Sequence, residues 1–167
     1  MNNLEALNKG FKHLVSKNKD PVVIQNINGY EEEVILHLNA PARDEDLSIL
    51  LEKISYKLPK DYEDFLRITN GCMLFGEENE LYNVDTVIEQ KDIIDLTYEK
   101  SELLNVAYIL QDYIIINLEE AAQGKSEYVY VIDSYSPIEY LRSLKCDFQT
   151  WLDRFIVSQG NKYWDWI

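Results

Sequence analysis

Three β-prone runs in the second half of the chain constrain its fold more than any other feature. They cover residues 106–110, 113–118 and 127–133 and are rich in branched and aromatic side chains. Only Gln111-Asp112 separates the first two runs, and turn-forming residues at 123–126 precede the third. A parallel crossover needs about a dozen residues, so these connections predict antiparallel pairing. The sequence therefore predicts an antiparallel meander.

Segments with helical spacing of apolar residues lie on both sides of this meander. They cover residues 4–15, 39–55 and 148–156, and a further helix is predicted to start at Pro59. An irregular pattern over residues 85–98 also favours a helix. This order of elements is typical of an α+β domain whose helices pack on one side of the antiparallel sheet.

Two further pairs of β-prone runs occur before the meander. Residues 22–27 and 30–38 flank Asn28-Gly29, and because both of these residues tolerate positive φ, a hairpin with a type I′ turn is predicted. Residues 72–75 and 81–84 predict short strands on either side of an acidic loop.

The chain has 167 residues, which fits one domain spanning 1–167, and it carries 30 acidic against 16 basic residues. The net charge of −14 repels phosphate backbones and anionic membranes, so neither nucleic acid nor a membrane is expected as a partner. The same charge favours a basic protein partner, although solubility alone would also account for it. No secretory signal or membrane-length apolar stretch occurs, so a cytoplasmic location is expected. Cys72 and Cys146 are predicted to be free thiols.

Patterns that carry catalysis or hold a cofactor are missing from the sequence. His13 and His37 have no nucleophile or acid at a catalytic spacing, and no CxxC, HExxH, EF-hand loop or glycine-rich phosphate loop occurs. Acids in a strand alternate faces, and acids in the first turn of a helix are explained by its dipole. No catalytic residue, metal site or cofactor is therefore predicted. An enzyme that uses carboxylates alone stays as an alternative.

The acidic loop at residues 76–80 is the best candidate for recognition. It joins apolar strands and must lie on the surface, and loops on a rigid scaffold commonly carry binding residues, although a merely solvated loop is the plain alternative. The chain also has 12 tyrosines and 3 tryptophans, and such side chains are favoured at protein interfaces. The predicted partner-contacting residues are Glu77, Glu78, Glu80, Tyr82 and Asp112.

One segment carries an ordered set of short motifs: Leu58-Pro59, Asp61-Tyr62, Phe65-Leu66 and Asn70-Gly71. It resembles the signature helix of the SUKH superfamily, which includes the fungal cell-wall assembly regulators and many bacterial immunity proteins of polymorphic toxin systems. The similarity runs from about residue 44 to 156, with a helix and hairpin extension at 1–38. Later residues support it: Leu81-Tyr82, Asp112-Tyr113-Ile114, Val129-Tyr130, Asp133, Phe148 and Trp151-Leu152.

The resemblance implies an α+β fold and, for bacterial members, neutralisation of a toxin by direct binding without catalysis. The motif residues are expected to be structural: Pro59 sets the start of the helix, and Gly71 lets the chain turn back after it. The leading hypothesis is a cytoplasmic immunity protein that binds a basic toxin domain, such as a nuclease. The alternative is a regulatory scaffold that binds an endogenous protein. Both leave the oligomeric state open.

Overall fold

The computed structural model describes residues 9–166. The helices in this part of the chain are α1 (Lys9–Ser16), α2 (Asp44–Lys53), α3 (Lys60–Leu66), α4 (Val84–Tyr98), α5 (Leu118–Ala122) and α6 (Phe148–Val157). The strands are β1 (Pro21–Gln25), β2 (Glu31–Ile35), β3 (His37–Leu38), β4 (Cys72–Met73), β5 (Asn79–Leu81), β6 (Leu103–Ile109), β7 (Asp112–Asn117), β8 (Val129–Asp133) and β9 (Arg142–Ser143). The part of the predicted first helix before Lys9, with Leu4 and Leu7, lies outside the described residues.

Strands β3 to β9 form one antiparallel sheet in simple sequence order, so each strand pairs with the next one along the chain. The longest ladder joins β6 and β7, and its register shifts between Asn105 and Ala107. This β-bulge accommodates the extra residue Val106 on β6. The α+β class and the predicted meander are confirmed.

The tight turn of the central hairpin lies one residue earlier than predicted. Leu110 and Gln111 both have positive φ, at 47° and 74°, as the two central residues of a type I′ turn require. Asp112 already belongs to β7 and pairs with Ile109. A type I′ turn matches the right-handed twist of the two strands. The pairing of these strands holds two non-glycine residues in the left-handed region.

The N-terminal hairpin differs from its prediction at both ends. Asn28 does not have positive φ, so the predicted type I′ turn at Asn28-Gly29 is wrong. The Asn26 side chain instead accepts hydrogen bonds from the backbone N–H groups of Asn28 (3.0 Å) and Tyr30 (3.1 Å), which stabilises a wider loop. The predicted strand 30–38 is also divided: Leu36 is fully buried, and β3 leaves the hairpin to pair with β4.

The sheet has an inner face that carries the main core. Leu81, Ala107, Ile114 and Val131 lie side by side across four strands, and all four are buried. Helices α1, α3 and α6 contribute the aromatic part of this core. Its rings are Phe11, Tyr62, Phe65, Phe148, Trp151 and Phe155, with adjacent centroids 5.0–6.1 Å apart. Burying each of these side chains contributes about 2–3 kcal/mol before entropy is counted.

A smaller cluster lies on the opposite, outer face of the sheet. Ile94 of α4 packs there with Leu103, Ile115 and Ile132. The first turn of α4 instead belongs to the main core through Val84 and Val87. Helix α4 therefore covers one part of the outer face, while Glu80, Tyr108 and Tyr113 on another part are partly exposed.

One helix and one strand were not predicted from the sequence. Helix α5 lies between the end of a predicted strand and a predicted turn. The Asn117 side chain caps this helix by accepting the Glu120 N–H (3.1 Å). Strand β9 adds two residues at the edge beside β8. Cys72 and Cys146 are buried free thiols, and burial raises the pKa of Cys146 to about 11.

Candidate protein-binding surface

The acidic turn between β4 and β5 displays Glu77 and Glu78 on a fixed backbone. The side chain of Asn79, 3% exposed, donates to the carbonyls of Phe75 (3.2 Å) and Gly160 (3.3 Å). The Glu78 carbonyl also accepts the Leu110 N–H (2.9 Å), which joins this turn to the central hairpin. Both glutamates are exposed. Their carboxylates therefore project from a loop that is anchored at its base.

Glu80 begins a row of side chains on the outer face of the sheet. It is opposite Tyr108 in the β5–β6 ladder, and Tyr108 is opposite Tyr113 in the β6–β7 ladder. The two tyrosine rings lie 5.7 Å apart at 56°. All three side chains are partly exposed. We call Glu77, Glu78, Glu80, Tyr108 and Tyr113 the acidic-tyrosine surface.

Tyr82 borders this surface but is only 7% exposed. Burial raises the pKa of Tyr82, and the charges of Tyr113 and Glu80 add to the rise. The hydroxyl therefore stays neutral at physiological pH. Tyr82 packs beneath the acidic-tyrosine surface and exposes little area to a partner.

Further tyrosines surround Tyr113. Burial raises the pKa of Tyr113, with smaller contributions from Tyr108, Tyr135 and Tyr98. Tyr135 is 84% exposed and Tyr98 is 41% exposed. Tyrosine rings beside a glutamate can contact both the aliphatic stems and the charged ends of lysine and arginine. Tyr108 and Tyr113 were missed as site residues, because the predicted turn at Gln111-Asp112 would place Leu110 opposite Tyr113, whereas the observed register pairs Tyr113 with Tyr108.

Asp112, also predicted as a contact residue, points into the protein instead of the surface. It is 7% exposed, accepts the indole N–H of Trp164 (2.8 Å) and lies 3.0 Å from the Lys162 ammonium. Trp164 is fully buried. The structure thus brings Glu77, Glu78, Glu80 and Tyr82 together and separates Asp112 from them. Asp112 holds the C-terminal segment against the sheet.

Asp61 of the ordered motif joins three elements. Its carboxylate accepts hydrogen bonds from the Tyr128 hydroxyl (2.6 and 2.7 Å) and from the backbone N–H of Gln149 (2.9 Å). Tyr128 directly precedes β8, and Gln149 lies in the first turn of α6. Burial and this hydrogen bond raise the pKa of Tyr128. Asp61 therefore fixes the start of α3 to both the sheet and the last helix.

The other motif residues are also structural. Tyr62, Phe65 and Leu66 are buried in the main core, Leu58 and Pro59 are buried at the start of α3, and the Asn70 side chain accepts the Val84 N–H (2.8 Å). Gly71 has a φ of +78°, and a Cβ there would lie 2.5 Å from the Asn83 nitrogen. Only glycine allows this close approach of the two backbone segments.

A groove of about 1080 Å³ lies elsewhere on the molecule, between the tip of the N-terminal hairpin and the end of α6. Ile27, Val157 and Trp166 line it and are largely exposed. Within residues 9–166 there is no group of three histidine, cysteine or carboxylate side chains that could hold a metal ion. No helix in this part of the chain is long and apolar enough to cross a membrane.

These features define an α+β domain with a core-facing helical layer and a partly open outer sheet face. The chain belongs to the SMI1/KNR4 family (SUKH-1), whose family model matches residues 41–154. The resemblance to the SUKH superfamily is thereby confirmed. The N-terminal hairpin precedes the matched segment, and the end of α6 with the residues after it follows that segment.

Two proteins of Bacillus subtilis (strain 168) are similar to this chain. Uncharacterized protein YobM is 28% identical over 130 residues, which cover 72% of this chain and 69% of YobM. Uncharacterized protein YnaB is 26% identical over 139 residues, which cover 80% of this chain and 90% of YnaB. The aligned stretches are longer than the family-matched segment, so the similarity includes residues outside 41–154.

Proposed function

We propose that this protein is a non-enzymatic, cytoplasmic immunity protein that neutralises a toxin by binding it directly. Its partner is a basic protein domain, such as a nuclease. The observation that carries the proposal is the row of Glu80, Tyr108 and Tyr113 on the outer sheet face, next to a turn that exposes Glu77 and Glu78. Family membership supports it, because bacterial SUKH proteins include immunity proteins of polymorphic toxin systems.

The charge of the whole chain supports the choice of a basic partner. A net charge of −14 creates a field that steers a basic protein towards the chain and repels acidic ones. The tyrosines add contact area at a small cost in conformational entropy, since each has only two side-chain torsions. In this arrangement the charges raise the association rate and the selectivity for a basic partner, and the aromatic side chains lengthen the lifetime of the complex.

Capture of the partner is the first test. The tagged protein is used to retrieve its partner from the source organism, and mass spectrometry identifies what is bound. A C-terminal domain of a large secreted protein is the expected result, and co-expression should then protect cells from that domain. Retrieval of housekeeping proteins alone would contradict immunity and favour a regulatory scaffold, the function of the fungal relatives.

Charge reversal then tests the surface. Glu77→Lys, Glu78→Lys and Glu80→Lys together should weaken toxin binding by about a hundredfold, since each removes an attraction and adds a repulsion. A matched control reverses Glu52, Glu89 and Glu139, which are exposed, form no ion pair within residues 9–166 and lie outside the acidic-tyrosine surface. Both variants carry the same net charge. Equal losses in the two variants would assign the effect to overall charge and exclude this surface.

A further inference from the structure

Strand β2 has one open edge. Among the described residues it pairs only with β1, in a two-stranded sheet separate from the larger one. Its five residues, Glu31–Ile35, are all exposed or partly exposed. Alternate residues of a strand direct their N–H and C=O groups away from the paired neighbour, and on an edge strand these groups can pair with another chain. Within residues 9–166, the backbone of β2 makes hydrogen bonds only in its ladder with β1.

The hairpin that carries this edge is firmly attached. Ile24 of β1 is 4% exposed and belongs to the main core. The Gln25 N–H donates to the Gln159 side chain (2.6 Å), and the Asn161 side chain donates to the Gln25 carbonyl (3.3 Å). These amide side chains occupy one end of the β1 edge. The β2 edge therefore stays open on a fixed support.

The charge on the open edge selects what can pair with it. Glu31, Glu32 and Glu33 are all exposed, and none forms an ion pair within residues 9–166. A second copy of β2, added antiparallel about Glu32, would place Glu31 opposite Glu33, and like charges at this distance repel. The same three carboxylates attract a strand that carries lysine or arginine. A second copy in this register is thus disfavoured, and the edge is complementary to a basic strand.

The register of the β1–β2 hairpin predicts the side-chain pattern of a strand that pairs with β2. Glu31, Glu33 and Ile35 lie opposite Gln25, Val23 and Pro21, so these alternate residues share one face of the hairpin. Val23 is 59% exposed and Ile35 is 50% exposed, which leaves apolar area beside the two carboxylates. An added strand extends this face, and its alternate side chains lie next to Glu31, Glu33 and Ile35.

We propose that the open edge of β2 is a docking site for an extended segment of a partner protein. That segment carries lysine or arginine at two alternate positions and an apolar residue at the next alternate position. Main-chain hydrogen bonds provide affinity and the alternating side chains provide selectivity, as in other cases of strand addition. This surface is distinct from the acidic-tyrosine surface, and its existence does not rest on the immunity function.

Short synthetic peptides test the proposal with the full chain. One has lysines at two alternate positions, isoleucine two positions later and threonine elsewhere, and a second has the reverse order; binding is measured by fluorescence anisotropy. At least one peptide should bind. Glu31→Lys with Glu33→Lys should weaken that binding by about tenfold, while Glu52→Lys with Glu89→Lys leaves it within about twofold. Equal losses, or no binding of either peptide, would overturn the proposal.

N-methylation separates strand pairing from charge attraction. Two versions of the binding peptide each carry methyl groups on one alternate set of amides, so their charges are identical. Methylation of the set that faces β2 should abolish binding, and methylation of the other set should preserve it. Equal binding of both versions would exclude strand addition. The Glu77, Glu78 and Glu80 reversal should leave peptide binding unchanged, so failure here is distinguishable from failure of the proposed function.

Discussion

At the scale of single residues, this fold depends on a few side chains that connect distant parts of the chain. Asp61 is the clearest case, because one carboxylate serves both the Tyr128 hydroxyl and the Gln149 backbone. The motif predicted Asp61 as structural, but its partners could not be predicted. They lie 67 and 88 residues away, and no local pattern links residues at such distances.

Asp61→Asn should lower the free energy of unfolding by about 2 kcal/mol. The amide keeps one acceptor for Tyr128, but in either orientation its NH2 group faces a backbone N–H donor, that of Gln149 or that of Tyr62, so one donor loses its partner. Urea denaturation followed by circular dichroism measures the effect. Glu89→Gln, an exposed change of the same type, should be nearly neutral, and a loss of similar size in that control would contradict the role of Asp61.

Gly71→Ala should be more damaging, by about 3 kcal/mol or more, because the new methyl group meets the fixed backbone of Asn83 and Leu81. Gly124 offers a matched control. It has nearly the same φ, +79°, but a Cβ there meets nothing within 4 Å. Gly124→Ala should therefore cost only the backbone strain, about 1 kcal/mol. Equal thermal destabilisation of the two variants would show that crowding at Gly71 is unimportant.

At the scale of elements, periodicity predicted well wherever a local pattern decides the structure. The pairing of β6 with β7, and helices α2 and α6, follow from apolar spacing, whereas α4 was predicted from an irregular pattern. Predictions failed where a tertiary contact decides: the strand from Tyr30 ends early because Leu36 is drawn into the core. The candidate surface was predicted in part, since Glu77, Glu78 and Glu80 belong to it, whereas Tyr108 and Tyr113 depend on the register of three strands.

Asp112 links β7 to the C-terminal segment, and its substitution tests that link. Asp112→Ala should destabilise the protein by about 2 kcal/mol, because Trp164 and Lys162 both lose their buried partner. Tryptophan fluorescence should shift to longer wavelength at lower denaturant concentration than in the wild type. Affinity for the partner should be unchanged under conditions where the variant is folded. A large loss of affinity without a loss of stability would restore Asp112 as a contact residue.

At the scale of the whole molecule, one core accounts for the packing of most elements, and it carries many tyrosines whose hydroxyl groups are buried or half-buried. Burial is the leading cause of a raised pKa at Tyr62, Tyr82, Tyr128 and Tyr163. At Tyr130, burial and the hydrogen bond to Glu120 raise the pKa to about 12. The folded state thus favours the neutral phenol at several sites at once.

The raised tyrosine pKa values predict that the protein loses stability at alkaline pH. A raised folded pKa contributes stability that is fully present below the unfolded value of 10.0 and is lost as pH rises above it. We expect thermal stability to fall steadily above about pH 10 and ionisation of the buried tyrosines to accompany unfolding in one step. Absorbance at 295 nm and circular dichroism measure the two processes. Ionisation of most tyrosines at pH 10 in a chain that remains folded would contradict this account.

The hydrogen bonds of Asp61 with Tyr128 and Gln149 also affect how the protein folds during synthesis. Its two partners emerge from the ribosome long after α3 itself, since they follow Asp61 by 67 and 88 residues. A nascent chain that stops before β8 has α3 with its carboxylate exposed to water and its apolar face without α6. Contacts between residues so distant in sequence form late and slow the folding of a domain. The helix that identifies the family is therefore among the last parts of the protein to become stable during synthesis.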